Sequence, residues 1–242
     1  MFGIHKAALA LIVAIITTSP ALAGDKVVVE LFTSQGCSSC PPADALMGKL
    51  AERDELIVLS LPVDYWDFLG WQDTLADPAN SQRQRDYARN RGDSHVYTPQ
   101  VVIGGLDHAV GSSLKQIEDK IAAAREEQEQ HSVDIAVAEQ GGTIIVNIEG
   151  DQPDAAEDAT IWLVLYRSAI PVKIGRGENT GNTITYYNVV TEMTPIGMWH
   201  GTPARFELPK SELTRGESDG CAVLVQGRDT GPILAAAHVS TW

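Results

Sequence analysis

The sequence predicts an α/β domain followed by an all-β, sandwich-like domain. Up to about residue 130, apolar β-branched stretches alternate with helical patterns, whereas beyond residue 132 strand patterns follow one another with no helix between them. The chain has 242 residues, enough for two ordinary domains, and 44% of them are hydrophobic, as in globular proteins. We therefore divide it into a signal peptide (residues 1–23), the α/β domain (24–130) and the all-β domain (131–242).

The first 23 residues have the features of a secretory signal peptide. Lys6 precedes an apolar run from Ala7 to Ile16, and Ala21-Leu22-Ala23 supplies a small-residue cleavage site. An apolar helix of that length spans roughly 15 Å, which is half of a bilayer's hydrocarbon core and argues against a membrane anchor. We expect cleavage after Ala23 and a secreted or periplasmic mature protein with no membrane contact.

A strand–helix–strand unit opens the first domain. Val27–Thr33 and Leu56–Val63 are short apolar, β-branched stretches of the kind that form buried strands. Between them a helical pattern extends from Cys40 to about Arg53, with apolar residues spaced four apart. This order predicts two parallel strands joined by a right-handed crossover.

The next segment combines an aromatic loop with a helix. The loop contains Tyr65, Trp66, Phe68 and Trp71. Asp77 followed by Pro78 is typical of a helix start, because Asp caps free N–H groups and Pro needs no hydrogen-bond acceptor there. The polar run Gln82–Arg85 of that helix is expected to face solvent.

A hairpin and a helix complete the first domain. Gly104-Gly105 lies between strand patterns at 100–103 and 107–110, which predicts a tight turn joining two antiparallel strands. Ser113 with Gln116 forms a capping-box pattern for the last helix. The resulting order of strand, helix, strand, helix, two strands and helix is that of the thioredoxin fold.

Six strand patterns predict the second domain. They occupy residues 133–137, 143–148, 161–166, 183–190, 221–226 and 233–239. Alternating strands separated by glycine turns are typical of a β-sandwich of about a hundred residues. Cys221 is expected to be a small buried apolar side chain, with an intermolecular disulfide as the alternative. The polar loop Gly175–Gly181 is expected to connect two strands, with binding of a partner's backbone or a small anion as the alternative.

Cys37-Ser38-Ser39-Cys40 is the candidate reactive motif. Cys37 precedes a helix N-terminus, where free N–H groups and the positive end of the helix dipole stabilise a thiolate. Cys40, three residues further on, can reach back to resolve a mixed disulfide. The spacing therefore favours a redox-active Cys37–Cys40 disulfide.

Two alternatives to a redox role are a structural staple and a zinc site. As a structural staple, the pair closes a four-residue loop and removes only roughly 2 kcal/mol of unfolded-state entropy. As a zinc site it lacks ligands, because the chain has no second C-x-x-C and no H-x₃₋₅-H. The sequence therefore predicts no metal site. No pair with that histidine spacing occurs among His95, His108, His131, His200 and His238.

Thr98, Pro99 and Trp66 are the candidate residues beside the pair. Thioredoxin-like folds place a cis-proline next to their cysteines, and the backbone of the preceding residue pairs with a bound peptide or thiol. The cis isomer costs only about 0.5–1 kcal/mol before proline; the alternative is a trans proline that opens an edge strand. Trp66 either lines a substrate groove or packs its loop onto the sheet.

Several segments resemble the DUF1223 family, an uncharacterised family of secreted bacterial proteins with a thioredoxin-like domain. In the first half they are Glu30–Asp44, which contains both cysteines, Val63–Asp67 and Tyr97–Gln100. Gly177–Asn179 and Tyr186–Val190 also resemble it, so the similarity covers nearly the whole mature chain. The resemblance implies export and a thioredoxin-like first domain.

The hypothesis that follows is an exported thiol–disulfide oxidoreductase that acts on a partner protein, whose identity the sequence leaves open. Cys37 is the attacking thiolate, Cys40 the resolving residue, and Pro99 shapes the thiol-binding face. No dissociable organic cofactor is expected. The formal net charge of −14 argues against nucleic acid, because phosphate binding needs a basic surface.

Two other functions stay open. A non-catalytic periplasmic binding protein would use the second domain for recognition and the first as a scaffold. A copper or zinc carrier would use the two thiolates and a histidine. Ser38-Ser39 stands where ordinary thioredoxins have Gly-Pro, and Gly36 where they have an aromatic residue, so their reduction potentials do not transfer. Direction of electron flow and oligomeric state are not predicted.

Overall fold

The computed structural model describes residues 26–150, 158–213 and 217–239. The predicted signal peptide lies outside these residues. The strands are β1 (Val27–Thr33), β2 (Leu56–Pro62), β3 (Gln100–Ile103), β4 (Asp107–Val110), β5 (Asp134–Gln140), β6 (Thr143–Glu149), β7 (Ala159–Lys173), β8 (Thr183–Trp199), β9 (Ala204–Pro209), β10 (Gly220–Gln226) and β11 (Ile233–His238). The helices are α1 (Pro41–Leu50), α2 (Pro78–Arg91), α3 (Leu114–His131) and the single turn α4 (Lys210–Leu213). Among the described residues, no helix is long and apolar enough to span a membrane.

The first half of the chain has the order of elements expected from the sequence. β1 and β2 pair in parallel, with α1 between them in the chain. On the other side of β1, β3 pairs antiparallel and continues through the predicted hairpin into β4. β1, β2 and β3 are buried along their whole length, which explains their predominantly apolar sequences.

Helices cover both faces of this sheet. Two prolines occupy the first turn of α1 at little cost, because N–H groups there have no acceptor within the helix. Met47 of α1 and Ile121 of α3 pack in one core with β1 and β3. On the opposite face, Tyr87 of α2 packs edge-on against Phe32 of β1.

Helix α2 begins where predicted, and its polar run is partly buried. Asp77 caps the helix by accepting a hydrogen bond from the N–H of Ala79 at 2.8 Å. Arg83 and Gln84 are buried, so the expectation that this run faces solvent is wrong for these two residues. They are buried because polar partners meet them inside the protein, as when Arg83 Nε donates to Glu30 Oε1 at 2.7 Å.

Helix α3 begins at Leu114 without the predicted capping box. The side chain of Ser113 makes no capping hydrogen bond. Gln116 Oε1 accepts instead from the backbone N–H of Val110, at 3.4 Å. The capping-box prediction is wrong because Gln116 turns toward the end of β4.

The strands of the second half extend the sheet of the first half. The large sheet has the order β11-β10-β7-β8-β2-β1-β3-β4. β8 meets β2 in parallel at Val189 and Ser60, and Ser60 Oγ donates to the carbonyl oxygen of Tyr187 at 2.7 Å. The predicted boundary near residue 130 falls at the end of α3, yet strands from both sides of it share one sheet.

A second sheet, of order β5-β6-β9, packs against the far end of the large sheet. Ile135 and Val146 of the small sheet share an apolar core with Leu163 and Val223 of the large sheet. The second half therefore has two packed sheets, one of which is continuous with the first half. Strand β9 and the turn α4 were not predicted, although the burial of β9 alternates with the period of a strand.

β7 and β8 form a long hairpin whose outer part, residues 168–187, we call the arm. Its apolar side chains cluster with residues of the loop after β2. This cluster contains Ile170, Ile174, Ile184, Tyr186, Val189, Trp71, Leu75 and Val172. Tyr187 lies so close to Gly48 of α1 that a Cβ there would be 2.6 Å from its ring. The arm therefore packs against the helix that follows the cysteine pair.

Candidate functional site

Cys37 and Cys40 lie in the loop between β1 and α1 and form a disulfide, with their Cα atoms 5.4 Å apart. Cys40 is the N-cap residue of α1, so the pair lies at the helix N-terminus, as predicted. Cys37 is 1% and Cys40 0% exposed, whereas Ser38 and Ser39 are exposed. The serine turn is therefore the part of the motif that solvent reaches.

Polar contacts to the segment after β2 fix Gln35, two residues before Cys37. Its backbone N–H donates to Asp73 Oδ2 at 2.7 Å. Its side-chain Oε1 accepts from Trp71 Nε1 at 2.8 Å, and its Nε2 donates to Thr74 Oγ1 at 3.1 Å. Trp71 is thus bonded two residues before Cys37, near the pair, where the sequence suggested that a tryptophan of the aromatic loop could lie.

Asn179, at the tip of the arm, contacts the cysteine loop directly. Its Nδ2 donates to the carbonyl oxygens of Gln35 and Cys37, each at 2.9 Å. The side chain is only 4% exposed. The loop Gly175–Gly181 does connect two strands, but it also binds the backbone of its own chain. Sequence reasoning missed this residue, although Gly177–Asn179 belongs to a segment that carries the family resemblance.

Thr98 and Pro99 lie on another side of the pair, joined by the predicted cis peptide bond. The Pro99 carbonyl accepts from the N–H of Gly111 at 2.9 Å. A Cβ on Gly111 would lie 3.0 Å from both Pro99 and Ala43, so Pro99 sits next to the first turn of α1. The structure thus brings Pro99 to the N-terminal end of the helix that carries the cysteines.

Trp66 connects the proline side to the cysteine loop. Its indole Nε1 donates to Thr98 Oγ1 at 2.8 Å. Its Cβ would be 3.1 Å from a Cβ on Gly36, so a larger residue at position 36 would press against Trp66. Trp66 is half-buried against the sheet, as the packing alternative expects, while Phe68 beside it is 80% exposed. Trp66 therefore links Thr98 and Pro99 to Gly36, the residue before Cys37.

A cluster of four buried polar residues lies at helix α1, which follows the cysteine pair, and we call it the Asp44 cluster. It consists of Thr33, Asp44, Asp73 and Tyr186. Thr33 Oγ1 donates to Asp44 Oδ1 at 2.7 Å, but Asp44 Oδ2 and the Tyr186 hydroxyl have no hydrogen-bond partner among the described residues. Burial raises the pKa of Asp44 from 3.8 to about 8, and the nearby Asp73 adds to the shift. Asp44 is one helical turn beyond Cys40, so a carboxyl group that titrates near neutral pH lies beside the pair.

Burial also dominates the electrostatics of the cluster's other members. It raises the pKa of Asp73, although hydrogen bonds from the N–H groups of Gln35 and Leu75 oppose the shift. It likewise raises the pKa of Tyr186, and the carboxylates of Asp44 and Asp73 add to that increase. Tyr186 is therefore a neutral hydroxyl group.

Cys221 lies apart from the pair, in β10. It is 1% exposed and belongs to the apolar core between the two sheets, so its predicted burial is confirmed. Burial raises its pKa to about 12, which leaves almost no thiolate near neutral pH. Cys221 is therefore an apolar core residue in this chain.

The described residues contain no group of three or more His, Cys, Asp and Glu side chains placed to hold a metal ion. A disulfide such as that of Cys37 and Cys40 is reduced to a dithiol by exchange with thiols and re-formed by exchange with another disulfide. Three features surround the motif. The backbone of Gln35 is bonded to Asp73, the Cys37 carbonyl is bonded to Asn179 of the arm, and Pro99 lies beside α1.

Comparisons with known proteins locate this chain among its relatives. A model of the family described as "Protein of unknown function (DUF1223)" matches residues 28–226. An X-ray crystal structure of a protein from Agrobacterium tumefaciens is 32% identical, with a TM-score of 0.77 over 92% of this chain and 96% of that one. HBP35 of Porphyromonas gingivalis is 12% identical, with a TM-score of 0.59 over 92% of this chain and 77% of that one, a likeness of fold alone. No curated protein matches the chain.

Proposed function

The chain belongs to the DUF1223 family, and we propose that it is a thioredoxin-like thiol–disulfide oxidoreductase that acts on a partner protein through Cys37 and Cys40. The observation that carries the proposal is the disulfide at the N-terminus of α1, with Trp66 packed beside Gly36 and bonded to Thr98, and Pro99 near the first turn of the helix. A disulfide that closes so short a loop removes only about 2 kcal/mol of unfolded-chain entropy, so stability alone gives little reason for it. The order of elements in the first half supports the thioredoxin-like assignment.

The reaction proceeds by two exchange steps. In the reduced protein, the Cys37 thiolate attacks one sulfur of a partner disulfide, forms a mixed disulfide and releases one partner thiolate. The Cys40 thiolate then attacks the Cys37 sulfur, which breaks the mixed disulfide and releases the second partner thiolate. Two electrons pass from the pair to the partner, and the reverse sequence oxidises a partner dithiol. No group beyond the two proteins is needed.

The N-terminus supports an exported site of action. The Lys6 charge, the apolar run and Ala21-Leu22-Ala23 have the pattern of a cleaved signal peptide. Secretory and periplasmic compartments are oxidising, and a disulfide persists there. We therefore assign the activity to a secreted or periplasmic protein.

The test equilibrates the purified mature protein with glutathione redox buffers and follows the alkylation state of Cys37 and Cys40 by mass spectrometry. We expect reversible titration between about −120 and −270 mV, the range of dedicated exchange proteins. The Cys37→Ser/Cys40→Ser variant is the control, because it retains Cys221 and must show no titration. A pair that stays oxidised below about −300 mV would contradict the proposal.

The burial of both sulfurs favours a second candidate, a non-catalytic binding protein. Cys37 is 1% exposed, so a partner thiol reaches it only after the loop moves. A binding protein needs no such movement and would keep its partner when both cysteines are replaced. The test compares capture of a cross-linked partner by wild-type protein and by the Cys37→Ser/Cys40→Ser variant. A binding protein captures its partner in both, whereas an exchange enzyme loses capture in the variant, because it can no longer form the mixed disulfide.

A further inference from the structure

We infer that Asn179 is a positioning residue for the cysteine pair: it holds the backbone of Gln35 and Cys37 in the conformation in which the disulfide closes. The inference rests on the proposed redox function and adds a residue more than 140 positions away in the chain. The Asn179 side chain donates to backbone carbonyls, so it acts through the cysteine loop.

The contacts of Asn179 are specific to this loop. Its amide nitrogen donates to the carbonyls of Gln35 and Cys37, each at 2.9 Å. An asparagine amide carries two N–H groups, so this loop accounts for the full donor capacity of the side chain. Because Asn179 is almost fully buried, loss of these bonds would leave two carbonyl oxygens without this partner in a site that water does not readily fill.

Asn179 holds the loop together with contacts on either side of it. The Cys37 carbonyl also accepts from the N–H of Cys40 at 3.2 Å, which closes the turn between the two cysteines. The N–H of Gln35 donates to Asp73 at 2.7 Å. The backbone from Gln35 to Cys37 is therefore held from two elements, the segment after β2 and the arm.

The tip of the arm is itself built to present this side chain. Gly177 and Gly181 have φ values of 80° and 85°, which side chains rarely adopt. The N–H of Gly181 donates to Ile174 O at 2.9 Å and closes the tip. A Cβ on Gly175 would be 2.9 Å from the Trp71 ring, so the tip packs against the same tryptophan that contacts Gln35.

A fixed loop changes the redox equilibrium of the pair. Oxidation of the dithiol by glutathione disulfide forms the Cys37–Cys40 bond and releases two molecules of reduced glutathione. Its equilibrium constant rises with the effective concentration of one cysteine thiol at the other. Asn179 orients the Cys37 carbonyl, which also accepts from the N–H of Cys40 and so closes the turn between the two cysteines. Its removal therefore loosens this turn, lowers that effective concentration and makes the pair a stronger oxidant.

The experiment measures the glutathione equilibrium of Asn179→Ala and of Asn179→Leu, which keeps side-chain volume without N–H donors. We expect the equilibrium constant for oxidation of the pair to fall about tenfold in both, which is a shift of about 30 mV toward positive potential. Glu178→Ala is the matched control at the neighbouring exposed position and is expected to leave the potential unchanged. Circular dichroism checks the fold, and if Asn179→Ala does not fold, the result is taken from Asn179→Leu.

The outcomes separate this inference from the proposed function. If wild-type protein titrates and both variants stay within twofold of its equilibrium constant, Asn179 is not a positioning residue, even when the variants are less stable. A variant that loses stability without a change in potential therefore overturns the inference. If wild-type protein does not titrate at all, the proposed function fails, and this inference fails with it.

Discussion

Two buried polar groups on opposite faces of the large sheet differ in how completely they are bonded. Glu30, Arg83, Tyr87 and Gln226, which we call the Glu30 cluster, lie on the α2 face. The Asp44 cluster lies on the α1 face, below the cysteine pair. Arg83 donates to Glu30, Tyr87 and Gln226, and the Tyr87 hydroxyl donates to Glu30. The Asp44 cluster, in contrast, contains two buried oxygens without a partner among the described residues.

The difference shows what each group contributes. The Glu30 cluster joins β1, α2 and β10, and Gln226 Nε2 also donates to Gly231 O at 3.0 Å, so it ties the two halves of the chain together. Burying a bonded charge pair is tolerated because each charge faces its partner. In the Asp44 cluster, burial raises the pKa of Asp44 to about 8, and this carboxyl group lies near cysteines whose thiols also titrate when the pair is reduced. The fully bonded Glu30 cluster therefore holds the two halves of the fold together, whereas the incompletely bonded Asp44 cluster lies beside the cysteine pair.

Arg83→Ala tests the closed cluster and has the largest expected effect. It leaves the Glu30 carboxylate buried without its cation, and breaking such a pair costs about 3–5 kcal/mol in the free energy of unfolding. Urea denaturation measures the loss. Arg89→Ala, on the exposed face of the same helix and paired with Asp86, is the control and is expected to cost about 0.5 kcal/mol or less. Equal losses in the two variants would show that the cluster does not hold the halves together.

Asp44→Asn tests the incomplete cluster through the pH dependence of stability. The folded-state pKa of about 8 lies above the ordinary value of 3.8, so the native protein holds a proton that the unfolded chain releases. Stability contributed by this group is therefore complete below about pH 4 and is lost as pH rises toward 8. Between pH 5 and 7 the expected decline is about 1.4 kcal/mol per pH unit.

The asparagine variant removes that titration, so its unfolding free energy should change less across the same range and exceed that of the wild type at pH 7. Urea denaturation at four pH values gives the comparison. Asp54→Asn, at an exposed carboxylate just beyond α1, is the control and should keep the wild-type slope. Parallel curves for wild type and Asp44→Asn would mean that Asp44 is ionised in the native protein throughout.

Cys221→Ala tests a third buried group, which has an apolar environment instead of a polar one. It has the smallest expected effect. Removing one buried sulfur from the core between the sheets should cost about 1 kcal/mol, similar to a buried methylene. The glutathione equilibrium of Cys37 and Cys40 should not change. Denaturation and the redox titration are run on the same preparation, and a shifted potential would show that Cys221 takes part in exchange.

Local patterns in the sequence determined much of the fold. The strand–helix–strand unit, the Asp77 cap and the hairpin at Gly104-Gly105 were all predicted, because apolar periodicity, capping and turn chemistry act between neighbours in the chain. The placement of Cys37 before a helix also followed from residues within a few positions of it. The prediction that Arg83 and Gln84 face solvent was wrong, because their buried polar partners include residues far away in the chain.

The sequence by itself determined the cysteine pair, its helix and most of the strands, whereas only the tertiary structure decided what surrounds them. Asn179 meets Gln35 because β7 and β8 leave the sheet as an arm that packs on α1. The second half shares the first half's sheet because β8 pairs with β2. The physical reason is the same in both cases. Side-chain periodicity reports which face of an element is buried, while the partner of that face depends on strand order and register across the whole chain.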